Sequence, residues 1–244
     1  MIQKLIEILK NEKAGKEKNS FYHFLQLYFG YNSNKIEGST LTEEQTELLF
    51  SHSAVFPQEG KIDVNDIIEM KNHFRMLDFL IDTLDEPIST TYIKKIHAIL
   101  KRGTRDEDLG YPIGEYKIKE NVIMSAVGQQ RTCRVKEVAN KMEELLNRFN
   151  SIEIMSLTDI ITFHVEFEQI HPFQDGNGRV GRAVMFKQCI QYGLIPFVIS
   201  DKMKTFYLRG LREWGSEKGF LTDTCLFAQD EFSKQFQEYL ENFE

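Results

Sequence analysis

Apolar positions recur along most of this chain at three- and four-residue intervals, the spacing that lines one face of a helix. Ile2, Leu5, Ile6 and Leu9 predict a short amphipathic helix over residues 1 to 12, followed by a lysine-rich joint from Lys13 to Lys18. Phe21, Phe24, Leu25, Tyr28 and Phe29 form an aromatic stripe that belongs in a core. Its helix continues or restarts through YNSNKIEGST, where Gly38 offers a stop. Thr42, with Gln45 at capping-box spacing, opens a helix to about His52. A long helix follows from Asp63 to about Leu84, ended by Pro87, and Ser89 and Thr90 announce another that runs to Gly103.

The pattern changes between Gly103 and Thr132. Glycines stand at 103, 110, 114 and 128, and helical spacing gives way to Tyr116, Ile118, Val122 and Ile123, which predict short extended segments. A loop followed by a small β-hairpin, about residues 113–131, fits this stretch, and so does an ordinary surface loop. Helical spacing resumes over Val135 to Phe149. Thr158 can cap a helix through Ile170; three more follow, to about Tyr192, from Ser200 to Trp214, and from Thr222 towards Phe243. The class implied is all-α with one small hairpin.

The chain has 244 residues, 41% of them hydrophobic, enough for one sizeable core. We expect an N-terminal helical region over 1–60 packed on a core over 61–244. Thirty Lys plus Arg against 37 Asp plus Glu give a formal charge of −7 with no basic block, which disfavours nucleic acid as a partner. Cys133, Cys189 and Cys225 are odd in number and far apart, which argues for a reducing compartment. The N-terminus lacks the unbroken apolar run of a signal peptide, and no stretch reaches membrane-span length. A cytoplasmic protein without membrane or DNA partners is the expectation.

The chemistry concentrates in His171 to Arg182, HPFQDGNGRVGR. Pro172 ends the helix before it, leaving His171 at a helix C-terminus beside a turn, where it is a candidate general base. The helix dipole favours its cationic form and a neighbouring arginine pair opposes it, so the sign of its pKa shift stays open. Gly176, Asn177 and Gly178 let backbone N–H groups approach an anion where the next helix begins. Arg179 and Arg182 add two guanidinium forks suited to phosphate oxygens. Asp175 is a hard oxygen ligand for magnesium, and Phe173 an apolar pin for the turn.

Two other motifs overlap these residues. GNGRVG matches the dinucleotide fingerprint GxGxxG, but that needs a preceding strand, and here a helix ending in His-Pro precedes it. No GxxxxGK(S/T) phosphate loop is present. His164, Glu168 and His171 share one helix face, with Glu168 and His171 at the ExxH spacing of carboxylate-bridged metal bundles. No second ExxH accompanies it, and His164 reads better as a hydrogen-bonded structural histidine beneath the motif.

HPFQDGNGRVGR resembles, at every defining position, the signature HPFx(D/E)GNGRxxR of the Fic (filamentation induced by cAMP) family. The resemblance implies a helical bundle with a β-hairpin flap, and transfer of AMP from ATP to a hydroxyl of a target protein. It casts His171 as the base and Asp175 as the Mg2+ ligand. Gly176, Asn177 and Gly178 become the anion hole, Arg179 the holder of the β-phosphate and Arg182 of the γ-phosphate. Tyr207 and Leu211 are candidates beside the adenine. Tyr116, Ile118, Val122 and Ile123 fall on the flap whose edge pairs with the target.

SNKIEG, with Ser33, Glu37 and Gly38, is similar to the family's inhibitory motif (S/T)xxxE(G/N) and lies upstream, on a helix of about 19–38. The resemblance then implies the class with an N-terminal inhibitory helix, in which Glu37 pairs with Arg182 where the γ-phosphate belongs. Relatives with this fold also remove AMP from modified targets or transfer other phosphate-containing groups, often dimerise and often modify themselves. Outside catalysis, the same residues would serve a nucleotide-sensing interaction module with little turnover. Some relatives append a winged-helix module; the acidic last helix here leads us to expect none.

Overall fold

The computed structural model of the chain describes residues 1–15, 17–57, 61–125 and 128–243; of residues 123–125, 128–130, 242 and 243 it describes the backbone alone. Eleven α-helices run through the described residues. They are α1 Ile2–Gly15, α2 Phe21–Ile36, α3 Glu43–His52, α4 Val64–Asp82, α5 Thr90–Lys101, α6 Arg105–Asp108, α7 Val138–Asn150, α8 Leu157–Ile170, α9 Asn177–Gln191, α10 Lys204–Glu213 and α11 Gly219–Phe243. The fold is all-α. No described helix is long and apolar enough to cross a membrane.

Side-chain caps set the starts of α2, α3, α4, α5 and α8. Thr42 and Gln45 form the expected reciprocal capping box on α3, each side chain bonding the other's backbone N–H. On α8 the cap is Ser156, boxed with Asp159, rather than Thr158. The last helix begins at Gly219, ahead of the expected Thr222, and Ser200–Trp214 divides into a 3-10 turn, Asp201–Met203, and α10. The four-residue α6 falls inside the stretch read as loop, too short to show a period.

Helix α9 is the centre. Val180, Ala183, Val184, Phe186, Cys189 and Ile190 are buried on all its sides, as in a helix surrounded by others. Helices α2, α4, α5 and α8 pack against it. The N-terminal helices belong to the same core: Leu5, Leu9, Phe21, Leu25, Phe29 and Ile36 are continuous with Phe186, Phe232 and Phe236. Phe21 meets the rings of Phe232 and Phe236 at 5.7 and 4.8 Å. Each such buried side chain stabilises the fold by roughly 1.5–3 kcal/mol, so α1 and α2 are fixed parts of the molecule.

Two short strands, β1 Val122–Ser125 and β2 Gly128–Arg131, pair antiparallel with Val122 opposite Arg131 and Ser125 opposite Gly128. Residues 126 and 127 of the expected flap lie outside the described residues, as does the side chain of Ile123. Tyr116 and Ile118, expected in extended segments, instead precede the ladder in irregular chain. The reason is their neighbours' bonding: Lys117 N–H donates to Pro172 C=O at 2.9 Å, and Asn121 Nδ2 to Phe173 C=O at 3.1 Å. The backbone here is tied to the turn between α8 and α9, not to a strand.

Candidate active site

Helix α8 ends at His171, whose N–H still bonds Phe167 C=O while its φ of 52° lies in the left-handed region. A side chain there is strained by about 1–2 kcal/mol, and Pro172, without an N–H, cannot continue the helix. The turn is held from both sides. Asn177 Oδ1 accepts from Phe173 N–H at 2.8 Å and its Nδ2 donates to Phe173 C=O at 3.0 Å. Phe173 is fully buried and stacks on His97, centroids 3.9 Å apart. His97 Nδ1 accepts from Gly114 N–H, which leaves Nε2 to donate to Asp175 C=O at 3.1 Å. The side chain of Asn177 is therefore committed to the turn, and its backbone N–H lies at the helix start, where the anion hole is expected.

Burial, then the charge of Lys117, push His171 down to about 4, against the opposing influence of the Glu168 backbone, Glu37 and Asp175. At neutral pH its imidazole is neutral, the form a proton acceptor needs. The opposing cation is Lys117 rather than the arginine pair.

Gly176, at φ 80°, is the N-cap of α9 without a side-chain cap, and the first N–H groups of the helix have no partner within it. Arg179 and Arg182, three residues apart, are both buried in the wall formed with α2 and α4. The Arg179 guanidinium pairs with Glu69, with Asn34 Oδ1 at 3.2 Å and with Asp175 Oδ2 at 3.1 Å. Arg182 donates through Nε to Ser33 Oγ at 3.1 Å, and through Nη2 to Ser33 C=O at 2.9 Å and Glu37 Oε1 at 2.7 Å. Burial works against Arg182, yet Glu37 and Tyr207 hold it above its ordinary value. The Glu37 carboxylate lies over the start of α9: a Cβ on Gly178 would run into Glu37 Oε1 and stand 2.9 Å from Arg182 Nη1. Glu37 caps α2 and Gly38 follows with φ 103°, the expected stop.

Asp175 is half-exposed and is held below the ordinary carboxylate range by Arg179 and Lys101 despite burial. Oxygens of Glu69, Asp106 and Asp175 lie within 4.8 Å of one another. The Lys101 ammonium, itself buried, contacts all three: Glu69, Asp106 at 2.5 Å and Asp175 at 2.6 Å. A metal cage of three carboxylates does not fit around that ammonium. The single ionised, half-exposed carboxylate of Asp175 does fit magnesium, which is commonly held by one protein carboxylate with phosphate oxygens and waters.

Other expected residues fall differently. Tyr207 is buried beneath Arg182, 5.8 Å from ring centroid to guanidinium, and its hydroxyl meets His164 Nε2 at 2.7 Å. It supports Arg182 and cannot offer an open face to a base, whereas Leu211 is half-buried. Tyr116 packs on Phe173 with Lys94 over its ring, so it anchors the loop instead of lining the flap. Ile118 and Val122 are exposed. Glu69, Lys101 and Lys117 had no signal in spacing. Asn34 lay within SNKIEG, unremarked, and Lys101 follows His97 by four positions on the buried face of α5.

Residues 87–189 match the Fic/DOC family. A protein adenylyltransferase fic-1 of Caenorhabditis briggsae is 24% identical over 216 residues, 85% of this chain and 41% of that protein. A probable protein adenylyltransferase of Aquifex aeolicus is 45% identical over 133 residues, 54% of this chain and 38% of that protein. The chain thus spans about two fifths of these curated relatives. A Fic domain containing signaling protein from Bacteroides thetaiotaomicron shares the fold with TM-score 0.76 at 23% identity, over 97% of this chain and 95% of that one. Fic-1 (residues 134–508) from Caenorhabditis elegans shares it at 0.71 and 17% identity, over 99% of this chain and 72% of that one.

Proposed function

We propose that the chain is an ATP- and Mg2+-dependent protein adenylyltransferase, transferring AMP to a hydroxyl side chain of a target protein, and that Glu37 holds it inhibited. The observation that carries the reading is the single wall in which the His171 turn, the start of α9, Asp175, Arg179 and Arg182 meet. Relatives of the family named as protein adenylyltransferases support it.

In this reading the polyphosphate lies across the start of α9, with Arg179 and Arg182 on its β- and γ-phosphates. Asp175 would hold the magnesium, which supplies charge neutralisation to the phosphates. His171 takes the proton of the target hydroxyl while its oxygen bonds the α-phosphorus; the bond to the β-phosphate oxygen breaks and pyrophosphate leaves with the electron pair. The protein's work is placement and charge stabilisation. Exposed Val122 and Ile118 flank the β1–β2 edge, where a target segment would pair by strand addition. Residues 1–60 act as the inhibitory region on the core of 61–244. The unpaired Cys133, Cys189 and Cys225 suit a cytoplasmic setting.

Inhibition follows from charge. Glu37 takes Arg182 and the space over Gly178, where a γ-phosphate would meet a carboxylate instead of a free guanidinium. Incubation with ATP labelled at the α-phosphate should leave wild type weakly labelling, Glu37→Gly stronger by about tenfold or more, the effect of 1.4 kcal/mol of competition, and His171→Ala inactive. Equal labelling by wild type and Glu37→Gly removes the inhibitory part. Transfer from the γ-position, or none from either, overturns adenylyl transfer. Release of AMP from a pre-modified target that needs Glu37 would reassign the direction of the reaction.

A further inference from the structure

Glu168 is a buried carboxyl group three residues before His171, on the same face of α8, and the motif itself gives it no task. Its Oε1 is closed off from solvent without a hydrogen bond; Nδ1 of His171 and Nδ1 of His164 are closed off too, and their rings meet the backbone of Glu168 and of Gly181 respectively. Oε2 of Glu168 lies 4.0 Å from His171 Nδ1. The His171 side chain is 20% exposed, almost none of it at Nδ1, so its open edge is the one carrying Nε2. Gly181 makes the room: a Cβ there would stand 2.8 Å from Glu168 Oε1 and 2.9 Å from His164 Nδ1. The chain thus leaves a bare position in its central helix, and a carboxyl without a hydrogen-bonded partner occupies the space.

We propose that Glu168 is a positioning residue for His171: its carboxyl faces the Nδ1 edge, holds the proton there, and leaves Nε2 as the outward, proton-accepting nitrogen. The inference rests on His171 being the proton acceptor of the proposed transfer. A neutral imidazole has two tautomers, and only the one protonated at Nδ1 offers a lone pair at Nε2 to the target hydroxyl. The 4.0 Å separation is longer than a hydrogen bond, as such contacts often are before substrate binds. When Nε2 takes the hydroxyl proton, the new imidazolium faces the carboxyl; no proton passes to Glu168.

The groups facing this pair come from four helices and the chain beside them. They are Arg182 of α9, Glu37 at the end of α2, Tyr207 of α10, His164 of α8 itself, Lys117 beside His171, and Asp175 of the turn before α9. Burial raises Glu168 to about 8, with Arg182 opposing and Glu37 assisting. Its ionisation, as pH rises, places a negative charge beside Nδ1–H and strengthens His171 as a base.

Two readouts on the Glu37→Gly background test this. Ring-nitrogen NMR of isotope-labelled histidine, assigned with His171→Ala, should show His171 protonated at Nδ1; Glu168→Ala should shift it towards the other tautomer, and Glu168→Gln, whose amide oxygen still accepts, should retain it. Turnover should fall about 10- to 100-fold in Glu168→Ala with KM for ATP unchanged, the scale of a misplaced reacting group. Glu168→Gln should keep most activity at neutral pH yet lose the rise in rate towards alkaline pH. Gly181→Ala, which drives a methyl into the carboxyl, should reproduce the Glu168→Ala result if that variant folds poorly. An unchanged tautomer together with an unchanged pH profile in Glu168→Ala overturns the proposal. If Glu37→Gly transfers no α-label, the adenylyltransferase reading fails, and the ring-nitrogen spectrum still decides the role of Glu168.

Discussion

At the residue scale the most informative side chain is Lys101. It is buried on α5, yet three carboxylates from α4, α6 and the motif close around it. Burial and Arg179 lower its proton affinity, but Asp175, Glu69 and Asp106 leave it above the ordinary lysine value. Replacing it by methionine keeps the packing and removes the counter-charge. We expect Lys101→Met to lose about 3–5 kcal/mol, the usual penalty for stranding one side of a buried pair. Glu69 and Asp175 are held below their ordinary values, so their contribution is present above pH 4 and lost as pH falls through the native values. Urea midpoints at pH 7 and pH 3 should therefore show the deficit shrinking in acid; an equal deficit at both would refute it. This residue also marks where sequence reading stopped. Asp175, Arg179 and Arg182 were legible because they share twelve residues of chain, whereas the pairs Arg179–Glu69 and Lys101–Asp175 span 110 and 74 positions. Spacing within a helix carries no information about such partners.

At the element scale, α2 delivers Ser33, Asn34 and Glu37 to the arginines because it lies close against α4. Gly30 permits that approach: a Cβ there would stand 2.9 Å from Phe74 Cε1 and 3.3 Å from Met70 Sδ. Gly30→Val should push α2 outward, lower stability by about 1–3 kcal/mol through overpacking, and raise α-label transfer by loosening Glu37 from Arg182. Loss of stability with transfer still at wild-type level would show that α2 adjusts without moving Glu37. The helices themselves were readable where two signals coincided, as at α3, where Thr42 and Gln45 cap an apolar run. Where only one signal was present the boundary slipped: Thr158 has the right chemistry for a cap, but Ser156 has Asp159 three residues on. The stretch from 113 to 121 was read as part of the flap but is irregular, because the N–H groups of Lys117 and Lys119 and the Asn121 side chain bond to residues 172–174 rather than to their own neighbours.

At the scale of the whole molecule, His73, His97 and His164 are buried in three different helices, and burial is the main cause holding each down at about 3. Unfolded histidines titrate near 6.5, so below that pH the unfolded chain binds more protons and stability falls with pH. Glu168 acts oppositely: the folded form keeps its proton up to about 8, which favours the fold as pH drops towards 4.5. With His171, held at about 4 chiefly by burial, four histidines outweigh one carboxyl, and we expect a net loss of about 3 kcal/mol between pH 6.5 and 5.5, at up to about 1.4 kcal/mol per unit for each group. Urea titrations at the two pH values check this; equal stabilities would mean that these histidines are already protonated in the fold.

In the proposed inhibition, the continuity of α1 and α2 with the central core makes the ion pair between Glu37 and Arg182 a thermodynamic tax on nucleotide affinity rather than a door. Under the proposed inhibition, only the fraction of molecules in which Arg182 has exchanged its carboxylate for phosphate is competent. The apparent dissociation constant is the intrinsic one divided by that fraction. Tightening or weakening one 2.7 Å contact then moves the ATP concentration at which the protein responds, without moving a helix.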